Sequence, residues 1–370
     1  MKTNHTLKAS FLAFVLLASA CRKDSNAPNS APKNPAEPVP SERKMLPSYQ
    51  QTNLVADKAG LGAGRIDPNL LNAWGIAIGS SGAFWISANG AGLSVVYNDK
   101  GTQLIPPVSV PFHGAPNAGA PSGVVFNSTP DFVIPGSGLP AKFIFAAEDG
   151  TISAWNKGST TIPVSDRSKS GAVYKGIAIG NNQGKNFLYV TNFHDAKIAI
   201  LDDHFHLVTE SLFLDPTIPV GFAPFNIRNI DGNLYVTYAL QKPDHHDDQA
   251  GPGNGFVNVF GMDGVLIKRL ASMGTLNSPW GIDKAPEGFG LGKNAILVGN
   301  FGDGRINVYS ESAAFLGQLR GQHEGVLTID GLWAITFPQN GAPAGDPNTL
   351  FFTAGPNAEA DGLFGFLNRK

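Results

Sequence analysis

The sequence has little cysteine, little charge and few long apolar runs. Its 370 residues include one cysteine, Cys21, so no disulfide can form within the chain. Charged residues make up 15% and the formal net charge is -2, with no long basic run, which argues against nucleic acid as a partner. The apolar run "FLAFVLLASA" at 11–20 is too short to serve comfortably as a permanent membrane-spanning helix.

Common catalytic signatures are also missing. The sequence contains no Gly-x-Ser-x-Gly elbow, no His-Glu-x-x-His pair and no Asp-x-Asp-x-Asp-Gly calcium loop. Both Gly-Lys dipeptides, at 184 and 292, continue with Asn, whereas a phosphate-binding loop needs Ser or Thr. Motifs therefore specify no reaction, and any site must be assembled from scattered residues.

The N-terminus predicts export. Lys2 and Lys8 precede the apolar run, and small residues at 18–20 precede Cys21, so residues 1–20 are interpreted as a signal peptide. The junction resembles a bacterial lipobox, which implies a diacylglycerol on Cys21, a membrane as partner and an exported lipoprotein. An ordinary secretory signal with an incidental cysteine is the alternative. Arg22 resembles the sorting pattern of outer-membrane lipoproteins.

A change in composition divides the rest of the chain. Residues 21–49 are rich in Pro, Ser and Asn and almost lack large apolar side chains, which predicts a flexible tether. Residues 50–370 are then a single folded domain. The whole chain has 44 glycines and 27 prolines, which suit many short strands and turns.

The folded region repeats a three-strand unit six times. The first strands of the units recur about every 50 residues, beginning near 73, 122, 174, 224, 279 and 332, with the sequences "AWGIAIG", "SGVVFNS", "YKGIAIG", "PFNIRNI", "PWGIDKA" and "LWAITFP". Asp149-Gly150 and Asp303-Gly304 separate second and third strands, as tight hairpins require. No segment has the periodicity of an amphipathic helix.

This pattern predicts an all-β, six-bladed β-propeller, because radial closure protects the edges of many short sheets. A β-sandwich is the alternative fold, and it would explain the strands but not the fixed spacing of about 50 residues between units. Six blades are favoured over seven, since a further blade from "SLFLDPTIPVG" lacks a partner hairpin. Closure requires one blade to be built from both termini, and "QTNLVAD" at 51–57 is predicted to pair beside the terminal "DGLFGFL".

Several segments carry a family resemblance. "DPNLLNAWGIAIG", "FIFAAEDGTISAWN", "HDDQAGPGNGFVNVF", "LVGNFGDGRINVY" and "FFTAGPNAEADGLFGFL" resemble an uncharacterised family of exported bacterial propellers, distantly similar to NHL-repeat proteins. Many members carry a C-terminal sorting tail of the PEP-CTERM type, which this chain replaces with the lipobox-like Cys21. The resemblance implies an NHL-like propeller and no established activity, substrate or catalytic residue.

The most polar insertion is "KPDHHDDQAGPGNG" at 242–255, in the fourth unit. His245, His246, Asp247 and Asp248 offer donors that suit a divalent metal, calcium or zinc. Neighbouring residues rarely point at one ion, so a solvated loop is the competing interpretation. The sequence thus specifies no cofactor, and a divalent metal stays a hypothesis.

A second set of polar residues lies at the ends of the second strands and in the turns that follow. Its members are Asn89, Glu148, Asn192, His194, Asp195, Asn300 and Asp303. If the blades superpose, these residues approach one mouth of the propeller, which resembles the metal site of lactonase-like propellers. Asn and Asp beside Gly are also typical of tight turns.

The leading hypothesis is a non-enzymatic binding module at the cell envelope, with an unidentified protein or glycan ligand. The first alternative is a metal-dependent hydrolase or lactonase acting in the axial mouth. The second is a carbohydrate-binding propeller, which needs exposed aromatic rings in the mouth. Trp74, Trp280 and Trp333 occupy equivalent positions, and we expect them to pack between blades.

Overall fold

The computed structural model describes residues 45–323, 325–338 and 343–370, and these form a ring of six antiparallel sheets. Strands β1 (Ser48–Ala56) and β2 (Arg65–Ile66) precede the first complete sheet. Blade 1 contains β3 (Ala73–Ile78), β4 (Phe84–Ala88), β5 (Leu93–Tyr97) and β6 (Val108–Ser109). Blade 2 contains β7 (Pro121–Phe126), β8 (Phe143–Ala147), β9 (Thr151–Trp155) and β10 (Ile162–Asp166).

The later blades follow the same order from the axis to the rim. Blade 3 contains β11 (Tyr174–Asn182), β12 (Lys185–Asn192), β13 (Lys197–Leu201) and β14 (Leu207–Thr209). Blade 4 contains β15 (Phe222–Ile230), β16 (Asn233–Leu240), β17 (Gly255–Phe260) and β18 (Leu266–Ser272). Blade 5 contains β19 (Pro279–Lys284), β20 (Ile296–Asn300), β21 (Ile306–Tyr309) and β22 (Phe315–Gln318). After β23 (Arg320–Gly321), blade 6 contains β24 (Leu332–Thr336), β25 (Leu350–Ala354) and β26 (Leu363–Arg369).

The predicted six-bladed β-propeller is confirmed, and so are the starts of its inner strands. The segment 211–221, considered for a seventh blade, forms no strand and instead links β14 to β15. Helical structure in the described residues is limited to three short 3-10 turns, at Asn89–Ala91, Ser168–Ser170 and Glu287–Phe289. Within those same residues, no helix is long and apolar enough to cross a membrane.

Strand β1 closes the ring as the outer strand of blade 6. It pairs antiparallel with β26, with Thr52 opposite Phe366 and Ala56 opposite Leu363. The predicted pairing of the two ends of the domain is therefore present. The strand begins at Ser48, so Ser48 and Tyr49 belong to the sheet although they were assigned to the tether, and Tyr49 is buried.

Small residues let the inner strands approach one another at the axis. A Cβ on Gly75 would lie 2.4 Å from the Ser122 carbonyl oxygen of the next blade, and one on Gly281 would lie 2.6 Å from the Trp333 carbonyl oxygen. Side chains longer than a hydrogen would therefore force these strands apart. The repeated Trp-Gly pairs of the sequence thus place a large ring and a close backbone contact side by side.

Apolar side chains fill the spaces between adjacent blades. Trp85 of blade 1, for example, stacks on Phe143 of blade 2 with ring centroids 4.2 Å apart. Stacking of this kind buries the apolar faces of neighbouring sheets against each other in the described part of the chain. The axis is left as the place where polar groups from different blades can meet.

Candidate functional site

The upper face of the propeller is the face at which the inner strands begin and the loops between second and third strands lie. Each inner strand has a register shift near its start, just beneath this face. The residue at this shift is equivalent in all six blades, and its side chain lies near the propeller axis. In blade order these residues are Trp74, Ser122, Lys175, Phe225, Trp280 and Trp333. Four of these six side chains are aromatic, and together with Phe301 they form what we call the aromatic layer.

The rings of the aromatic layer contact one another. The Trp74 and Trp333 centroids are 3.9 Å apart, Trp280 lies 5.8 Å from Trp333, and Phe301 stacks on Trp333 at 3.9 Å. The three tryptophans are 1–3% exposed. They pack between blades as expected, and Trp74, Trp333 and Phe301 also form the floor of a small cavity of about 170 Å³ on the upper face, which we call the mouth.

Lys175 breaks the aromatic layer. It is 1% exposed, and its ammonium contacts the Glu148 carboxylate from blade 2 and lies 3.8 Å from the Asp247 carboxylate of blade 4. The same ammonium lies 5.0 Å from the centre of the Trp74 ring, within the range of a cation–π contact. A buried cation of this kind requires its carboxylate partners, because desolvation without them is expensive.

Sequence reasoning missed Lys175, although a signal was present. "YKGIAIG" of blade 3 and "AWGIAIG" of blade 1 share their last five residues and differ where Lys175 replaces the tryptophan. A lysine at a register position otherwise used for ring packing marks a place where the repeat departs from its structural role.

Glu148 and Asp247 are held by further polar contacts. Asn89 of blade 1 donates from Nδ2 to Glu148 Oε2 at 2.8 Å. Asp247 pairs with His246 at 2.9 Å, and this hydrogen bond lowers the pKa of Asp247 to about 2 and raises the pKa of His246. Asp247 is thus ionised at neutral pH, and the mouth carries a fixed carboxylate above Lys175.

The blade 4 loop separates its four adjacent candidate residues. His246 and Asp247 face Lys175, whereas His245 leans on blade 3, with its Nδ1 3.3 Å from the His194 carbonyl oxygen. Asp248 turns into the mouth and is 8% exposed, and burial raises the pKa of its carboxyl group. These four residues therefore do not surround one point.

Blade 6 adds Glu359, which sequence reasoning also missed. Its Oε2 accepts a hydrogen bond from Asn72 Nδ2 at 2.8 Å, while Asn72 Oδ1 accepts from the indole nitrogens of Trp74 and Trp333 at 2.9 and 3.0 Å. The residue as a whole is exposed, but its carboxyl group lines the mouth, and partial desolvation there raises its pKa. Asn72 thereby joins the aromatic layer to the acidic rim.

The backbone that presents Glu359 is unusual. Asn357, Ala358 and Glu359 have φ of 57°, 51° and 68°, a run of three residues in the left-handed region. A residue other than glycine in this region lowers the stability of the fold by about 1–2 kcal/mol. Strain of this kind concentrates at functional sites, where the surrounding structure holds it in place.

The remaining predicted mouth residues stabilise their own turns. Asn192 donates to Asp195 at 2.8 Å, and His194 pairs with the same carboxylate at 3.0 Å. Asn300 donates to Asp303 at 3.0 Å and to the Thr275 carbonyl oxygen at 2.8 Å. Of the predicted set, only Asn89 and Glu148 join the cluster around Lys175.

Two groups of side chains in the described part of the chain have the spacing of metal ligands. Glu148, His246 and Asp247 offer ligand atoms that lie within 4.8 Å of one another, and so do Asp202, Asp203 and His204 in a turn at the lower face. The Lys175 ammonium already contacts Glu148 and approaches Asp247, so a metal ion in the first group would have to displace a buried positive charge.

Beneath the aromatic layer, the axis widens into a channel of about 990 Å³ that opens at the lower face. Ile76, Val124, Ile177, Ile227, Ile282 and Ile335 form an apolar ring around it. Arg228 crosses this channel and pairs with Asp283 at 2.9 Å. The aromatic layer thus separates this lower channel from the mouth. Cys21, the predicted lipidation site, lies outside the described residues.

Solved structures support the fold. Virginiamycin B lyase from Staphylococcus aureus is 13% identical, with a TM-score of 0.53 over 87% of this chain and 100% of that chain. A protein of unknown function from Bacteroides thetaiotaomicron is 10% identical, with a TM-score of 0.53 over 87% of this chain and 76% of that chain. At these identities the similarity concerns the fold alone.

Curated sequences show closer relatives. "Uncharacterized protein R648" of Acanthamoeba polyphaga mimivirus is 30% identical over 337 residues, 88% of this chain and 81% of that protein. "Uncharacterized protein L690" of the same virus is 30% identical over 339 residues, 88% of this chain and 87% of that protein. No protein-family model matches the chain. With this identity over most of both sequences, the chain belongs to the same family as these two mimivirus proteins.

Proposed function

We propose that the protein is a non-enzymatic binding module, exported to the bacterial cell envelope and held there by a lipid on Cys21, whose ligand enters the mouth. The supporting observation is the cluster around Lys175. Asn89, Glu148, Lys175, Asp247 and Glu359 come from five different blades and meet above the aromatic layer. Packing alone would be served by another aromatic ring at position 175, as in blades 1, 5 and 6.

The described lining of the mouth favours binding over serine-, threonine- or cysteine-based catalysis. Among the described residues that line it are lysines, carboxylates and aromatic rings, but no serine, threonine or cysteine that would serve as a nucleophile. The tryptophan rings are at most 3% exposed, so they offer no open face on which a sugar ring would stack. A carbohydrate-binding role therefore has less support than recognition of a small polar group.

A ligand screen by thermal shift tests the proposal. The double variant Lys175→Met/Glu148→Gln removes a positive and a negative charge together and is the matched control. Compounds that raise the melting temperature of the wild-type protein should leave that of the double variant unchanged. Equal shifts in both proteins would place binding elsewhere and contradict the proposal. Steady consumption of a bound compound would instead establish an enzyme.

The envelope location needs its own test. Cell fractionation should find the wild-type chain with membranes and Cys21→Ser away from them, with labelled fatty acid incorporated only by the former. Equal fractionation of both would contradict the lipid anchor while leaving the mouth as a binding site.

A metal-dependent hydrolase remains the second candidate because Glu148, His246 and Asp247 have ligand spacing. Metal analysis of the purified protein, followed by titration with calcium and zinc, decides this point. Stoichiometric metal that is lost in Glu148→Gln, with turnover of a lactone, would establish the hydrolase. Absence of bound metal and of titration heat would exclude it.

A further inference from the structure

Asp248 is an unsatisfied carboxylate in the mouth. The residue is 8% exposed and lines the cavity, and its buried Oδ2 atom has no hydrogen bond of ordinary geometry among the described residues. Burial raises the pKa of this carboxyl group, and the nearby Ser278 hydroxyl offsets part of that rise. A buried charged oxygen in this state is destabilising unless a partner or a proton reaches it. The Asp248 carboxylate therefore has spare capacity to accept a hydrogen bond at the mouth.

The charges of the mouth specify the sign of that group. Four carboxylates, on Glu148, Asp247, Asp248 and Glu359, face the ammonium groups of Lys175 and Lys242. Glu148 and Asp247 neutralise the two lysines, since Lys242 lies 3.6 Å from Asp247 and Lys175 contacts both acids. Asp248 and Glu359 keep no cationic partner of their own within salt-bridge distance in the described structure.

The aromatic rings beside Asp248 and Glu359 also favour a positively charged ligand group. Phe301 and Trp333 line the mouth with Asp248 and Glu359, and their stacked rings are 3.9 Å apart with an angle of 14°. The face of such a ring stabilises an organic cation, as the Trp74 ring does for Lys175. A combination of carboxylates and rings recognises a cation that carries alkyl groups better than it recognises a strongly hydrated metal ion.

The size of the mouth limits the ligand. Its volume of about 170 Å³ is well below that of pockets for drug-sized molecules, which hold about 300–1,000 Å³. One side-chain-sized group fills it. The aromatic layer blocks passage into the channel below, so the rest of a longer ligand must stay outside the upper face.

We propose that Asp248 and Glu359 form a subsite for a single organic cation, an alkylammonium or alkylguanidinium group, bound against the partly exposed ring of Phe301. This inference rests on the proposed binding function and names the chemistry that the mouth recognises. The left-handed turn at 357–359 holds the second carboxylate over the subsite. Asn72 fixes that carboxylate to the same indoles that form the floor.

Isothermal titration with n-butylammonium and n-butylguanidinium tests the subsite, with n-butanol and butyrate as neutral and anionic probes of the same length. The cations should bind and the other two probes should not. Asp248→Asn and Glu359→Gln should each weaken cation binding by about tenfold or more, because each removes a charge-assisted hydrogen bond. Asp303→Asn, in the blade 5 turn outside the mouth, is the control and should bind as the wild type does.

The outcomes separate this subsite from the broader proposal. No cation binding, or equal binding by wild type, Asp248→Asn and Glu359→Gln, overturns the subsite. Butyrate binding that is lost in Lys175→Met/Glu148→Gln would also overturn it while supporting a binding function for the mouth. If 1,4-diaminobutane or a blocked lysine tripeptide binds more tightly than n-butylammonium, the subsite stands and the tighter probe identifies a free polyamine or a polypeptide side chain as its source.

Discussion

Replacing Lys175 by methionine should destabilise the whole propeller. The Lys175 and Glu148 side chains are 2% and 11% exposed, so the change leaves a nearly buried carboxylate without its cation. Breaking such a pair costs about 3–5 kcal/mol. The Asn89 hydrogen bond to Glu148 remains, which places the expected loss at about 3 kcal/mol, or a fall in melting temperature of roughly 4 °C for a domain of this size.

Urea denaturation at pH 7 of wild type, Lys175→Met, Glu148→Gln and the double variant measures this as a thermodynamic cycle. Each single variant should be destabilised, whereas the double variant should lie within about 1 kcal/mol of wild type, because replacing both partners removes the charge mismatch. Single variants that each lose less than about 1 kcal/mol would refute the reasoning, as would additive losses in the double variant. Either result would mean that water reaches the pair and screens it.

Three further predictions concern closure, pH and strand packing. Deleting 46–58 removes the outer strand of blade 6 and exposes the edge of β26, so the melting temperature should fall by about 10 °C or more, and an unchanged value would contradict closure by β1. The pKa of Glu359 is raised on folding, so its contribution to stability is complete below the unfolded value of about 4.3 and is lost as pH rises through the folded value. Glu359→Gln should therefore be more stable than wild type at pH 8 and equally stable at pH 4. Because the residue is exposed, the difference in unfolding free energy at pH 8 should be less than about 1 kcal/mol. A difference that stays constant from pH 4 to pH 8 would contradict the assignment. Gly75→Ala should lose about 1–3 kcal/mol by urea denaturation, since its Cβ would lie 2.4 Å from the Ser122 carbonyl oxygen, whereas Gly321→Ala, with open space around it and no positive φ, should lose less.

The fold could be predicted because the sequence repeats it. The inner strands recur about every 50 residues along the chain. The hairpin glycines Gly150 and Gly304 adopt the positive φ that their Asp-Gly pairs predict. Closure also followed from counting, since one strand at 51–57 lay outside the six units. The start of β1 at Ser48 could not be read from composition, because Ser48 and Tyr49 adjoin the polar segment that precedes them.

The site was harder to predict because it depends on departures from the repeat. Asn192 and Asn300 were selected as equivalents of Glu148, but each instead donates a hydrogen bond to an aspartate of its own turn. Lys175 lies in a strand and was grouped with the strand's apolar residues. Glu359 depends on a left-handed turn that residue types do not announce, since neither Ala358 nor Glu359 favours positive φ.

The repeat nevertheless explains why the mouth is where it is. Four aromatic rings at equivalent positions close the axis, and the two positions that lack a ring, Ser122 and Lys175, are neighbours in blades 2 and 3. The Ser122 hydroxyl lies 2.7 Å from the Tyr174 carbonyl oxygen and 3.2 Å from the Ala146 carbonyl oxygen, to which it donates. It therefore stabilises the contact between blades 2 and 3. Lys175 instead turns its charge upward, toward acids supplied by blades 2 and 4. One substitution in a packing layer thus converts the closed end of a propeller axis into a polar cavity with a rigid floor, and the acids that line it decide what that cavity can bind.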